Sequence, residues 1–282
     1  MISFILSLTA CGGSSGYGGG EALIIPRPQS TDSTGSGGGS SGGSSGGSSG
    51  GSSGGGGSSG TNLATLTGTS YTAQNGETLT GTLPAGITLT IPSDVSVTLS
   101  GVTITGSNSP GITCSGNATI TLVGTNSVSG NGNYCAGIFV PSGSTLTISG
   151  SGSLTATGAS QGAGIGGNGS SFGGNGSADG GNITITGGTI TATGGVYAAG
   201  IGSGTSQSCG NIQITGGTIH AVSTNMGACI GKGNSGSCGN ITISGGTVTT
   251  AAPSGVPYHI DNGTGGNTIT IAPGTTTSSY RP

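Results

Sequence analysis

Beyond residue 60, the side chains able to move a proton or hold a cation are few: Glu77, Asp94, Asp179, His220, Lys232, His259, Asp261 and Arg281. Eliminative cleavage of an acidic polymer needs clustered carboxylates for calcium and a base for proton abstraction. Hydrolysis of a glycosidic bond needs two carboxyl groups about 5–10 Å apart. No acid pair recurs at a fixed spacing, and the nearest grouping is Asp261 with His259 and Lys232. Such a trio reads first as solvated surface, so no catalytic residue and no enzyme activity are expected. Gly173-Gly174-Asn175-Gly176-Ser177-Ala178-Asp179 approximates a G-G-x-G-x-D calcium repeat with the Asp one place late. Gly166-Gly167-Asn168-Gly169 lacks the acid altogether. Calcium wants several carboxylate and carbonyl oxygens, so these stretches read as loops. No Gly-rich stretch has the P-loop Lys, and no C-x-x-C pair exists, so neither a cofactor nor a metal site is expected.

The cysteines carry more information. Cys209 and Cys238 are 29 residues apart, within a segment that repeats at the same interval. Stacking successive repeats would bring their Cα atoms to about 4.8 Å, inside disulfide range. A bridge and an unbridged column of small side chains both satisfy that spacing. Cys114 and Cys135 fall in adjacent repeats at different positions. Among the aromatics, Tyr134 and Tyr197 each precede an Ile by four, and Tyr258 precedes Ile260 by two. These rings either line one edge, where a glycan could use them, or cap apolar columns at a corner.

The elements that must position these residues are strands. Gly181-Asn182-Ile183-Thr184-Ile185-Thr186-Gly187-Gly188-Thr189-Ile190 recurs from Gly210 to Ile219 and from Gly239 to Val248. Its period of two means strands, and Gly187-Gly188 must turn the chain to reset the parity before Ile190. A third short piece follows, as in Ala163-Gly164-Ile165-Gly166, Ala199-Gly200-Ile201-Gly202 and Ala228-Cys229-Ile230-Gly231. Three brief strands per repeat, separated by corners, make an all-β, three-sided parallel β-helix of about eight coils over residues 61–282. Four columns follow. They are Ile183/Ile212/Ile241/Ile269, Ile185/Ile214/Ile243/Ile271, Ile190/Ile219/Val248 and Ile138/Ile165/Ile201/Ile230/Ile260. Leu79 to Ile91 is expected to start the stack. Asn182, Asn211 and Asn240 form a further column, which reads as a ladder of stacked amides. Thr147, Thr184, Thr186, Thr242 and Thr270 point outward in an array like those of ice-binding solenoids, interrupted by Gln213 and Ser244.

Composition sets the outer limits. Of 282 residues, 69 are Gly and only 3% are charged, with net charge −3. Three basic residues cannot neutralise a phosphate backbone, so nucleic acid is excluded as a partner. Residues 12–60 are dominated by Gly and Ser, and Gly35–Gly60 contains nothing else. That segment reads as a disordered tether reaching roughly 35–42 Å. Met1–Ala10 is short, apolar and ends in small residues, as an export signal does.

Two resemblances complete the reading. Leu8-Thr9-Ala10-Cys11 is similar to the lipobox of bacterial lipoproteins, although no Lys or Arg precedes it. It implies a signal peptide over 1–11, lipidation of Cys11 and membrane anchoring at the outer membrane or cell surface. Ser100-Gly101-Val102-Thr103-Ile104-Thr105, Gly111-Ile112 and Asn117-Ala118-Thr119-Ile120-Thr121-Leu122 resemble bacterial carbohydrate-binding β-helix surface proteins. The A-G-I-G and G-N-I-T-I pieces are similar to repeats of that group. The resemblance covers roughly residues 80–280. It implies a right-handed β-helix like that of pectate lyases, without lyase activity, whose partner is a polysaccharide. Two other functions remain open: a structural or adhesive surface protein meeting a host or neighbouring cell, and a lyase-like enzyme with residual activity.

Overall fold

A computed structural model describes residues 60–170, 178–254, 259–263 and 267–278. The alternation of Ile, Val and Leu with Thr and Ser along each short strand puts branched apolar chains on one side and hydroxyls on the other. The burial pattern follows that alternation, as in Thr145–Gly150 and Thr189–Thr193. All paired strands are parallel, so each strand stacks on its counterpart one repeat away.

The strands form three faces. The first face stacks Val95–Ser100, Ala118–Val123, Thr145–Gly150, Asn182–Ile185, Ile212–Ile214, Ile241–Ile243 and Ile269–Ile271. The second stacks Thr125–Ser129, Ser153–Thr157, Thr189–Thr193, Thr218–Val222, Thr247–Ala251 and Thr276–Ser278. The third has eight strands, from Ser70–Thr72 to Ile260–Asp261. The path third, first, second, third repeats along the chain. The result is a right-handed, three-sided parallel β-helix.

Corners explain the glycines that matter. The strand Val95–Thr105 belongs to the first face at its start and to the second at its end. It bends at Gly101, whose φ of 71° favours glycine while leaving open space where a Cβ would sit. In the regular repeats the same bend is made at Gly188, φ 86°.

The four expected columns are in register, and Ile183, Ile185, Ile190, Ile201, Ile212, Ile214 and Ile230 are fully buried. Each such side chain contributes about 1.5–3 kcal/mol. Three points depart from the sequence reading. The stack begins earlier, because Thr61–Asn62 already pairs with Leu79–Thr80 and the 3-10 turn Leu63–Thr65 buries Leu63. The Asn ladder bonds differently: the side-chain oxygens of Asn182 and Asn211 accept from the backbone N–H of the next rung, both at 2.8 Å. Amide does not meet amide, since a backbone donor at every corner needs an acceptor first. Finally, Asn126 occupies the apolar column between Val102 and Leu154, 1% exposed. Its Oδ1 accepts from Val102 N–H, and its Nδ2 donates to the carbonyls of Val123 and Ser153. Full satisfaction makes this burial tolerable.

Candidate functional site

The corner loops leading into the third face carry the aromatic residues. Tyr134, Gln161 and Tyr197 each lie four residues before Ile138, Ile165 and Ile201, which are stacked in register. Their carbonyls accept from Gly169, Thr205 and Asn234 respectively, each N–H belonging to the coil that follows. The three residues therefore occupy one position in three consecutive coils, and all three are half-buried. Two coil rises separate the tyrosines by roughly 10 Å. Tyr71 is packed against the core, whereas neither of these rings joins that packing. Next to Tyr197, Val196 is 38% exposed and Met226 58% exposed, and Met226 N–H donates to the Val196 carbonyl. The edge thus presents ring, amide, ring and two bare apolar chains. Tyr258 lies outside the described residues, as does Cys11.

The acids are dispersed. Glu77 accepts from Thr61 and Tyr71 hydroxyls at the first coils. Burial, then the hydrogen bond to Glu77, pushes the Tyr71 phenol above its ordinary value. Asp94 sits at φ 61°, bonded to Ser93 and Asn117. It lines a shallow depression of about 260 Å³ with Ser96, Asn117, Thr119, Thr145 and Thr147. Asp179 accepts from Ser208 N–H at 2.7 Å. Asp261 pairs with Lys232 at 3.2 Å. Among the described residues no three His, Cys, Asp or Glu side chains gather into a metal cluster. The trio of the sequence reading is only partly assembled: His259 turns instead to Thr250 Oγ1 at 2.9 Å and to Cys229 Sγ at 3.9 Å.

Cys209 and Cys238 are paired Cα partners of adjacent strands, 4.4 Å apart, and form a disulfide. Cys114, Cys135 and Cys229 are all buried. Desolvation pushes the thiols of Cys114 and Cys229 up to about 12 and about 11. Neither is therefore a thiolate nucleophile at neutral pH. The outward first-face column runs Thr119, Thr147, Thr184, Gln213, Thr242, Thr270, with Gln213 interrupting the hydroxyls. No helix among the described residues is long and apolar enough to cross a membrane.

A family model described as a beta helix repeat matches residues 146–170, 183–205 and 241–268. No curated protein and no solved structure matches the chain significantly. The matched segments each begin in a first-face strand and end beyond a third-face position, so each is one turn of the stack. These matches agree with the stacked parallel sheets: the chain folds as a parallel β-helix built from repeats.

Proposed function

We propose that this β-helix binds polysaccharide at the cell surface without cutting it. The observation that carries the reading is the edge on which Tyr134, Gln161 and Tyr197 share one position in three consecutive coils. Partly exposed tyrosines offer apolar ring faces to the C–H face of a pyranose and hydroxyls to its oxygens. Gln161 between them supplies both a donor and an acceptor for sugar hydroxyls. A linear glycan laid along the stack meets these groups in turn. The dispersal of Glu77, Asp94, Asp179 and Asp261 over separate coils supports binding rather than hydrolysis. In this reading Cys11 carries a lipid anchor, and residues 12–60 hold the domain away from the membrane.

The test is affinity electrophoresis and pull-down on pectic, cellulosic and other soluble and insoluble polysaccharides, with and without calcium. Tyr134→Ala and Tyr197→Ala should each weaken binding about 2- to 12-fold, the worth of one aromatic contact. Saturable glycan binding that both substitutions leave intact would move the site off this edge. Folded protein that retains no glycan, yet adheres to cells, would replace the reading with an adhesive one.

A further inference from the structure

The residue just before each third-face isoleucine forms a column of its own: Gly111, Gly137, Gly164, Gly200, Cys229, His259. Four coils have no room for a side chain there. A Cβ on Gly137 or Gly164 would lie 2.6 Å from a backbone oxygen, and on Gly200 2.7 Å. The last two coils break this pattern together, with a thiol, which favours soft metal ions, and an imidazole, which also ligates copper.

Their surroundings are unlike the rest of the core. Cys229 is fully buried, and its Sγ lies 3.2 Å from the carbonyl of Ala251 and 3.9 Å from His259 Nδ1. His259 Nδ1 also meets Thr250 Oγ1 at 2.9 Å, and Thr250 is 7% exposed. A second observation is independent of that pair. Ser223, whose backbone also contacts the Cys229 thiol, is 1% exposed, and its hydroxyl has no partner. A buried hydroxyl left unpaired is costly, and native structures rarely keep one without a reason.

We propose that Cys229 and His259 form a binding site for a monovalent soft metal ion of the Cu(I) or Ag(I) type, with the hydroxyls of Thr250 and Ser223 at its flank. The 3.9 Å separation lies within reach of one ion bonded to both atoms, since a metal–sulfur and a metal–nitrogen bond, at about 2.3 and 2.0–2.1 Å for zinc, together exceed it. Charge selects the valence. Binding replaces the thiol proton, which leaves to solvent as the S–M bond forms, so a monovalent ion leaves the buried site neutral. A divalent ion would leave a net positive charge there, at a desolvation cost that neutral hydroxyls repay poorly. The adjacent Lys232–Asp261 pair is itself neutral overall and does not alter that balance. The half-exposed flank of His259 gives the ion its way in.

The test uses the full chain under anaerobic conditions, titrated with Cu(I) held by a chromogenic chelator. Cys11, Cys114 and Cys135 contribute their own background. Cys229→Gly restores the residue of the four preceding coils and should fold. It should remove one equivalent of tightly bound Cu(I), whereas Cys114→Ser and Cys135→Ser should leave that equivalent in place. His259→Ala, at a half-exposed position, should weaken the same equivalent at least tenfold. X-ray absorption of the loaded protein should report both sulfur and nitrogen around copper. Unchanged stoichiometry in Cys229→Gly, unchanged affinity in His259→Ala, or coordination by sulfur alone would each overturn the proposal.

Discussion

The Cys209–Cys238 bridge closes a loop of 29 residues, one full turn of the helix. Its effect on stability follows from the chain entropy it removes from the unfolded state. For a loop of that length the loss is about 12 cal/mol/K, or about 3.6 kcal/mol at 25 °C. In a domain of this size each kcal/mol moves the melting temperature by roughly 2–4 °C, so removing the bridge should lower it by roughly 7–14 °C. The native coil should persist. Gly239 N–H still donates to the Cys209 carbonyl at 3.0 Å, and Ile212–Ile214 still pairs with Ile241–Ile243. The assay is thermal unfolding by far-UV circular dichroism of the double variant Cys209→Ala/Cys238→Ala, beside the parent protein with and without reductant. Replacing both cysteines avoids leaving one thiol unpaired. The folded spectra should coincide, and reduced parent and double variant should melt together, well below the oxidised parent. A fall of less than about 2 °C would refute the loop-entropy reasoning. It would mean that the unfolded chain is already constrained around this turn. A fall in the variant that reductant does not reproduce would assign the effect to lost packing instead.

Two further outcomes are expected. Ile214 is fully buried between Ile185 and Ile243, so Ile214→Asp places an unpaired charge in a core one side chain wide and should unfold the stack; an unchanged melting curve would sink the column assignment. Tyr71, whose folded pKa is raised above 10.0 by burial and then by Glu77, favours the neutral phenol when folded. The stability this contributes is therefore complete below pH 10 and is lost as pH rises through the folded value. Melting temperatures taken on both sides of pH 10 should show that loss in the parent and not in Tyr71→Phe, and equal losses in both would disprove the assignment.

The repeat made the architecture legible. Wherever Ile alternates with Thr between paired glycines, parity alone fixes which side chains point inward, and the 29-residue interval fixes which of them stack. The Cys209 and Cys238 positions follow from the same interval. Less of the first coils was legible, because Thr61–Leu66 carries neither the alternation nor the glycine pair, and only the pairing of Thr61 with Leu79 shows it to be part of the stack. The tyrosine edge was half legible. Spacing placed Tyr134 and Tyr197 at one position, but whether the rings turn inward depends on corner packing that no pattern of residue types encodes.

Columns also separate two kinds of exception that look alike in sequence. Asn126 interrupts an apolar column, and Cys229 with His259 interrupts a glycine column. Every polar atom of the Asn126 amide is paired with backbone of its own or an adjacent coil. That exception is closed, and it reads as a staple between turns. Around Cys229 one polar group stays open: the thiol donates to the Ala251 carbonyl and the imidazole meets Thr250, but the Ser223 hydroxyl beside them is buried without a partner. A break in a repeat that leaves a buried hydroxyl unpaired beside a thiol and an imidazole marks a candidate site, whereas one that pairs every polar atom does not. Sequence shows both breaks with equal clarity. Only the hydrogen-bond inventory tells them apart, which is why the Cys229–His259 corner, and not the more conspicuous buried Asn, is the place to look for a bound ion.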